Sequence, residues 1–162
     1  MNFGQGPVAL RLAEIGAEFD HGLALDLSRI EAVLAALGDP HLHVPPVLHV
    51  AGTNGKGSTC AFARAIAEAA GWRAHVFTSP HLVAPNERVR LAGTLASDAA
   101  LLAALDRIAA TGCVVTYFEA ITAAAFLLFA ETKADVTILE VGLGGRLDAT
   151  NVARPHVCAI TP

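Results

Sequence analysis

Gly52-Thr53-Asn54-Gly55-Lys56-Gly57-Ser58-Thr59 is the densest run of chemistry-bearing residues in the chain. A short apolar run, Val47-Leu48-His49-Val50, precedes it, and an alanine-rich stretch of helical character, Cys60 to Ala70, follows. A glycine turn between strand and helix lets backbone N–H groups converge on a polyphosphate. The helix N-terminus adds the positive end of its dipole. Lys56 supplies a mobile point charge, and Ser58 or Thr59 a hydroxyl near a metal-bound phosphate. The alternative reading is an ordinary Gly/Asn turn, which the lysine and the helix in register make the weaker one.

Glu140 stands near the end of the apolar run Val136-Thr137-Ile138-Leu139-Glu140-Val141 and is followed by Gly-Leu-Gly-Gly-Arg-Leu-Asp-Ala-Thr-Asn. A carboxylate leaving a buried strand beside a phosphate loop is placed to hold Mg²⁺, directly or through water. An isolated acid there is otherwise a capping or salt-bridged group. Glycines 142, 144 and 145 let the backbone approach a ligand closely. Ser79, in Thr-Ser-Pro-His, reads by itself as a turn-starting serine. Asn86-Glu87-Arg88-Val89-Arg90 puts cations in a loop that faces either an anionic substrate or solvent.

The elements that must position these residues read as alternating strands and helices. Residues 1–26 are irregular in pattern, with a loosely held Gly-Gln-Gly-Pro start. Leu27, Ile30, Val33, Leu34 and Leu37 have helical spacing, with Asp26 or Ser28 as cap and Gly38 as stop. The first strand, the glycine loop and a helix to about Ala70 follow. A second strand spans Arg73–Thr78, and 79–93 is a loop with a strand at Arg88–Leu91. Ser97 or Asp98 caps a helix to Ala110, Val114–Tyr117 reads as a short strand, and Glu119–Glu131 as an apolar helix. Asp135–Val141 reads as a buried strand and His156–Ile160 as a last one. The pattern predicts an α/β fold with a mostly parallel sheet flanked by helices. Residues 52–59, 79–90 and 142–151 all follow strands, so they should converge on one edge of the sheet.

Composition narrows the function class. The 162 residues are 54% hydrophobic and 16% charged, with a net charge of −4. No basic face for nucleic acid is expected, nor a membrane span, nor a signal peptide. Cys60, Cys113 and Cys158 are isolated and read as small buried residues of a reducing compartment, the cytoplasm. His41-Leu42-His43 beside Pro45-Pro46 reads as a surface loop rather than a metal site.

The glycine loop departs from the common P-loop pattern, which wants glycine at Val50 and Ser or Thr at Gly57. GTNGKGST instead resembles the loop of the Mur-ligase-like ATP-dependent amide ligases. With TSPHLV, NERVR, TYFE and LEVGLGGRLDATNV, in that order, the chain from about Leu25 onward resembles the bifunctional dihydrofolate synthase/folylpolyglutamate synthase family. The resemblance implies ATP-dependent joining of L-glutamate to a dihydropteroate or folate carboxylate through an acyl phosphate. Thr53, Asn54, Gly55, Lys56, Gly57, Ser58 and Thr59 would hold ATP, with Lys56 and Glu140 as the catalytic pair. Ser79 and Glu140 would hold Mg²⁺, and Thr116, Phe118 and Asp148 would contact the pterin-bearing substrate. Phe118 offers a face for stacking and Asp148 an acceptor for pterin N–H groups.

Two stretches depart from the family. Leu23 to Arg29 displaces the glycine and the acid of the usual Ile-Asp-Leu-Gly-Leu-Glu-Arg loop, and Ala84-Pro85 replaces a basic or aromatic pair. Family members are far longer. The resemblance therefore makes 1–162 the N-terminal part of the ATP-binding domain, an incomplete Mur-ligase-like ATPase. A histidine metal ligand, a carbamylated lysine and the glutamate-binding domain would be absent, and the chain alone inactive. The full-length protein would be a monomer with small-molecule partners only. The competing readings are another Mur-type ligase, acting on a cell-wall precursor or a polymer, and a non-catalytic nucleotide-binding or assembly module.

Overall fold

The structure is a computed structural model, and it describes residues 6–16 and 26–162. The order of elements is α1 (Pro7–Gly16), α2 (Ser28–Ala36), β1 (Val47–Gly52), α3 (Lys56–Ala69), β2 (Ala74–Phe77), β3 (Val89–Leu91), β4 (Thr94–Leu95), α4 (Asp98–Ala110), α5 (Tyr117–Glu131), β5 (Val136–Glu140) and β6 (Val157–Thr161). Among the described residues the sheet has the order β4-β3-β2-β5-β1-β6. β2, β5, β1 and β6 are parallel, while β3 and β4 extend one edge antiparallel. The expected α/β fold with a mostly parallel sheet is therefore what forms.

Successive strand residues point to opposite faces, and each face is covered differently. Phe77 and Leu139 belong to the larger core with α1, α2, α4 and α5, while their neighbours Val76 and Ile138 pack with Cys60 of α3. α5 is apolar on nearly every side, with buried residues from Glu119 to Phe129. A helix apolar all round must be enclosed, and its alanines let α1, α2, α4 and the sheet come close. No helix among the described residues is long and apolar enough to cross a membrane.

Several expectations need correction. Residues 7–16, read as irregular, form α1, which buries Val8 and Leu12. Val114–Tyr117 is not a strand: Tyr117 opens α5, and Thr116 caps it by accepting the Glu119 N–H at 3.2 Å. Thr116-Tyr117-Phe118-Glu119 is a capping box, a helix-start signal that outweighs the β propensity of two valines. The edge strand β4 had no expectation at all. Of the cysteines only Cys60 is buried; Cys113 is partly covered and Cys158 is exposed on the edge strand β6. His41 packs edge-on against Phe126, 6.1 Å between ring centroids. Residues 1–5 and 17–25, including the first three residues of the Leu23–Arg29 loop, lie outside the described residues.

Neither Asp26 nor Ser28 is the N-cap of α2, which is Leu27 without a side-chain cap bond; Asp26, one residue earlier, instead braces the helix start. Its Oδ1 accepts the Ser28 N–H at 2.9 Å and its Oδ2 the Ser28 hydroxyl at 2.7 Å. The cap of α4 is Ser97, whose hydroxyl accepts the Ala100 N–H at 3.2 Å.

Candidate active site

β1 delivers the glycine loop to the carboxyl edge of the sheet. Gly52 ends the strand with φ 132°, pressed so closely on β6 that an added Cβ would lie 2.2 Å from Thr161 Oγ1. The N–H groups of Thr53 and Asn54 donate to the Pro162 carbonyl at 3.2 and 2.7 Å, which ties the loop to the end of β6. Gly55 turns through φ 81° and Lys56 begins α3. The N–H groups of the first turn of α3 have no intrahelical acceptors, so they point out of the loop as a phosphate cradle requires. Lys56 Nζ donates to the carbonyls of Gly52 at 3.0 Å and Thr53 at 3.3 Å. Thr59 Oγ1 donates back to the Gly55 carbonyl at 2.9 Å. Of the two candidate hydroxyls, that leaves the exposed one of Ser58 for a ligand.

The register Val50↔Glu140 and Phe77↔Leu139 places the ends of β1, β5 and β2 side by side. Glu140, 4% exposed, therefore faces the loop. A Cβ on Gly57 would stand 3.7 Å from its Oε1, so glycine at 57 leaves room between carboxylate and helix. The Ser79 N–H donates to Glu140 Oε2 at 3.0 Å. Burial raises the Glu140 pKa, opposed by that N–H and by the charges of Lys56 and Arg88. A desolvated carboxylate and a serine beside a phosphate loop match the donor set of Mg²⁺, which takes one or two protein oxygens and completes its shell with phosphate and water. Cys60, behind them, has its thiol pushed up to about 12 by burial and by Glu140, which keeps it an inert packing residue.

A cleft of about 390 Å³ opens on the α5 side of Ser79 and Pro80. Thr116 and Phe118 line it from the start of α5, and Asp148 from the loop after β5. The Phe118 ring lies over Gly142, where a Cβ would come within 2.4 Å of Cζ, and 5.9 Å from the Phe77 ring. Gly142→Ala is therefore expected to displace that ring and destabilise the fold by about 1–3 kcal/mol, the usual cost of overpacking. Urea denaturation measures it; an unchanged midpoint contradicts the contact. A second cleft of about 320 Å³, across Ser79 and Pro80, includes Gly57 and Glu140. The three loops thus converge as expected.

Asp148 is placed at the cleft but its oxygens are already engaged. Oδ2 accepts the N–H groups of Gly142 at 3.0 Å and Leu143 at 2.8 Å, and Oδ1 accepts the N–H and hydroxyl of Thr150. Four internal donors thus meet the carboxylate, which shapes the loop beside the cleft. Because the Thr150 hydroxyl donates to Asp148, it accepts from His49 Nε2 at 2.8 Å. Burial lowers the His49 pKa, against the charge of Asp148, so a neutral imidazole links β1 to the cleft loop.

Sequence reasoning also missed the pair of Arg29 with Glu119. Arg29 reaches Glu119 Oε1 at 2.9 Å, the two side chains being 20% and 7% exposed. Glu119 Oε2 takes the Thr116 N–H at 2.7 Å, so one carboxylate joins α2 to the start of α5. The capping-box spacing was the available signal.

A glycine loop opening a helix, a serine–glutamate contact at the ends of neighbouring strands and a cleft alongside are the layout of a Mur-ligase-like ATPase fold. Comparison with known proteins carries this further: the chain belongs to the dihydrofolate synthase/folylpolyglutamate synthase family. It is 43% identical over 159 residues to dihydrofolate synthase/folylpolyglutamate synthase of Escherichia coli, a match covering 96% of this chain and 37% of that protein. It is 41% identical over 149 residues to the Bacillus subtilis protein of the same name, covering 86% and 34%. The structure of E. coli FolC in complex with DHPP and ADP superposes with a TM-score of 0.89 at 40% identity, over 99% of this chain and 39% of that one. The Yersinia pestis bifunctional folylpolyglutamate synthase/dihydrofolate synthase complexed with AMPPNP and Mn ion gives 0.86 at 43%, over 99% and 39%. No protein-family model matches the chain. The chain spans little more than a third of these relatives.

Proposed function

We propose that these residues are the ATP- and pterin-binding part of a cytoplasmic, monomeric ligase that joins L-glutamate to dihydropteroate or a folate. The observation that carries this reading is the convergence of the glycine loop, the Ser79–Glu140 pair and the Phe118 cleft at the ends of adjacent strands. The 162 residues then form the N-terminal part of the ATP-binding domain, and the glutamate site belongs to a C-terminal domain outside them. The partners are small molecules, not nucleic acid or membrane. The related structures, one with DHPP and ADP and one with AMPPNP and Mn ion, support the same ligand classes.

In this reading Lys56, the first-turn amides of α3 and Ser58 hold the phosphates of ATP, with Thr53, Asn54, Gly55, Gly57 and Thr59 shaping the loop around them. Mg²⁺, held by Ser79 and Glu140, offsets charge on the β- and γ-phosphates. Phe118 stacks the pterin, and Thr116 and Asp148 hold the wall beside it. A carboxylate oxygen of the acceptor attacks the γ-phosphorus and ADP leaves. The amine of glutamate then displaces phosphate from the acyl phosphate and the amide forms. Both steps bring like charges together, so positioning and charge neutralisation are the residues' main contributions.

Calorimetric titration of Mg²⁺–ATP with and without dihydropteroate tests this reading. The expected result is tighter nucleotide binding when dihydropteroate is present. Nucleotide affinity indifferent to the pterin favours a plain nucleotide-binding module and overturns the ligase reading.

A further inference from the structure

Two arginines line the 390 Å³ cleft, and they differ in what they face. Arg29 is neutralised by Glu119. Arg88, partly buried at the end of the 3₁₀ turn Pro85–Arg88, has no acidic side chain in ion-pair contact among the described residues. Its Nε donates to His81 Nδ1 at 2.8 Å, and its Cζ lies 5.9 Å from the centroid of the Tyr117 ring. Both partners are neutral: an imidazole accepting at Nδ1 carries its proton on Nε2, and the ring contributes a cation–π contact. Glu87, next in sequence, is unavailable, because its carboxylate accepts the N–H groups of Leu82, Val83 and Ala84.

A guanidinium withdrawn from water without a counter-charge favours an anion, and its planar fork suits a carboxylate. Nε donates to His81, which leaves the two terminal nitrogens of this cleft-lining residue without a hydrogen-bond partner among the described residues, so that they can meet both oxygens of one carboxylate. Position adds the second half. Arg88 lies on the cleft side of Ser79 and Pro80, the residues shared with the cleft that contains Glu140. Burial lowers the Arg88 pKa while the nearby Tyr117 and Glu140 oppose that shift, which places it within electrostatic reach of the metal-binding pair.

Resting on the ligase reading above, we propose that Arg88 binds the reacting carboxylate of the pterin-linked acid and holds it at the boundary between the Phe118 cleft and the Ser79–Glu140 pair. The guanidinium offsets the charge of the carboxylate as it approaches the γ-phosphate. His81 is then a positioning residue that keeps Nε occupied and aims the terminal nitrogens. Arg90, two residues on, does not share this role: its guanidinium donates to the Gly93 carbonyl at 2.8 Å and lines the other cleft.

The test compares dihydropteroate with its carboxamide, in which the carboxylate becomes a neutral amide. Both are titrated into the wild-type protein, Arg88→Met and Arg88→Lys, with Mg²⁺–ATP binding measured in each. The wild type is expected to prefer the carboxylate by about 10- to 100-fold, the worth of a charge-assisted contact. Arg88→Met should erase the preference while carboxamide and Mg²⁺–ATP affinities stay within about twofold, and Arg88→Lys should restore part of it. A preference that survives Arg88→Met, or equal loss of both pterins and of nucleotide, overturns the proposal. So does a wild type that binds both pterins equally, which leaves the ligase reading standing. A wild type that binds neither pterin removes that reading and this proposal together.

Discussion

Asp148→Ala is expected to destabilise the fold by at least about 4 kcal/mol, because one buried carboxylate satisfies four donors and each buried donor left unpaired costs about 1–3 kcal/mol. The donors are the N–H groups of Gly142, Leu143 and Thr150 and the Thr150 hydroxyl, and Asp148 is 4% exposed. In a chain of this size the thermal midpoint should fall by about 10 °C. The loss also reaches the cleft, since Gly142 carries the Phe118 contact and Thr150 the bond to His49. Asp148→Asn should recover little, because its NH₂ would face N–H groups with nothing to accept. Differential scanning calorimetry of the two variants decides the matter: a midpoint within about 1 °C of wild type for Asp148→Ala would show that the loop is held by something else.

Lys56→Ala is expected to weaken Mg²⁺–ATP binding by about 10- to 100-fold, corresponding to the ~1.5–3 kcal/mol of hydrogen bonds from a charged donor. Without nucleotide the ammonium rests on the carbonyls of Gly52 and Thr53, which are exchangeable partners of the same loop. The substitution should therefore leave stability nearly unchanged while nucleotide affinity falls. Titration of Mg²⁺–ATP together with a thermal melt separates the two effects. Affinity within about twofold of wild type removes Lys56 from the phosphate cradle.

Much of the candidate site was legible because its residues sit in contiguous strings with a local physical purpose. Gly55 has a left-handed backbone that glycine adopts without strain, Lys56 follows at the helix start, and Glu140 ends an apolar strand. Such features depend on spacing along the chain, and so does the alternation of strands and helices. What escaped notice was either local but overruled or non-local. Val114 and Val115 suggested a strand, yet the capping box from Thr116 to Glu119 decided the backbone. The contact of Arg29 with Glu119 spans 90 positions and that of His49 with Thr150 spans 101, so no periodicity announces either.

By itself the sequence determined the family, most of the element types and the strand–glycine turn–helix at Val47–Ala69, because backbone conformation and apolar patterning are properties of neighbouring residues. Tertiary structure alone decided how the candidate groups are used. The order β2-β5-β1 brings Ser79, Glu140 and Lys56 to one edge. Packing then sets the difference between the two carboxylates. Asp148 is surrounded by donors of its own loop, whereas Glu140 receives the Ser79 N–H and otherwise faces the loop that would hold ATP. The same holds for the cations, Arg29 meeting Glu119 while Arg88, among the described residues, meets two neutral rings. Which charge is compensated depends on what the fold places within hydrogen-bonding distance, and that is set by packing between segments remote in the chain.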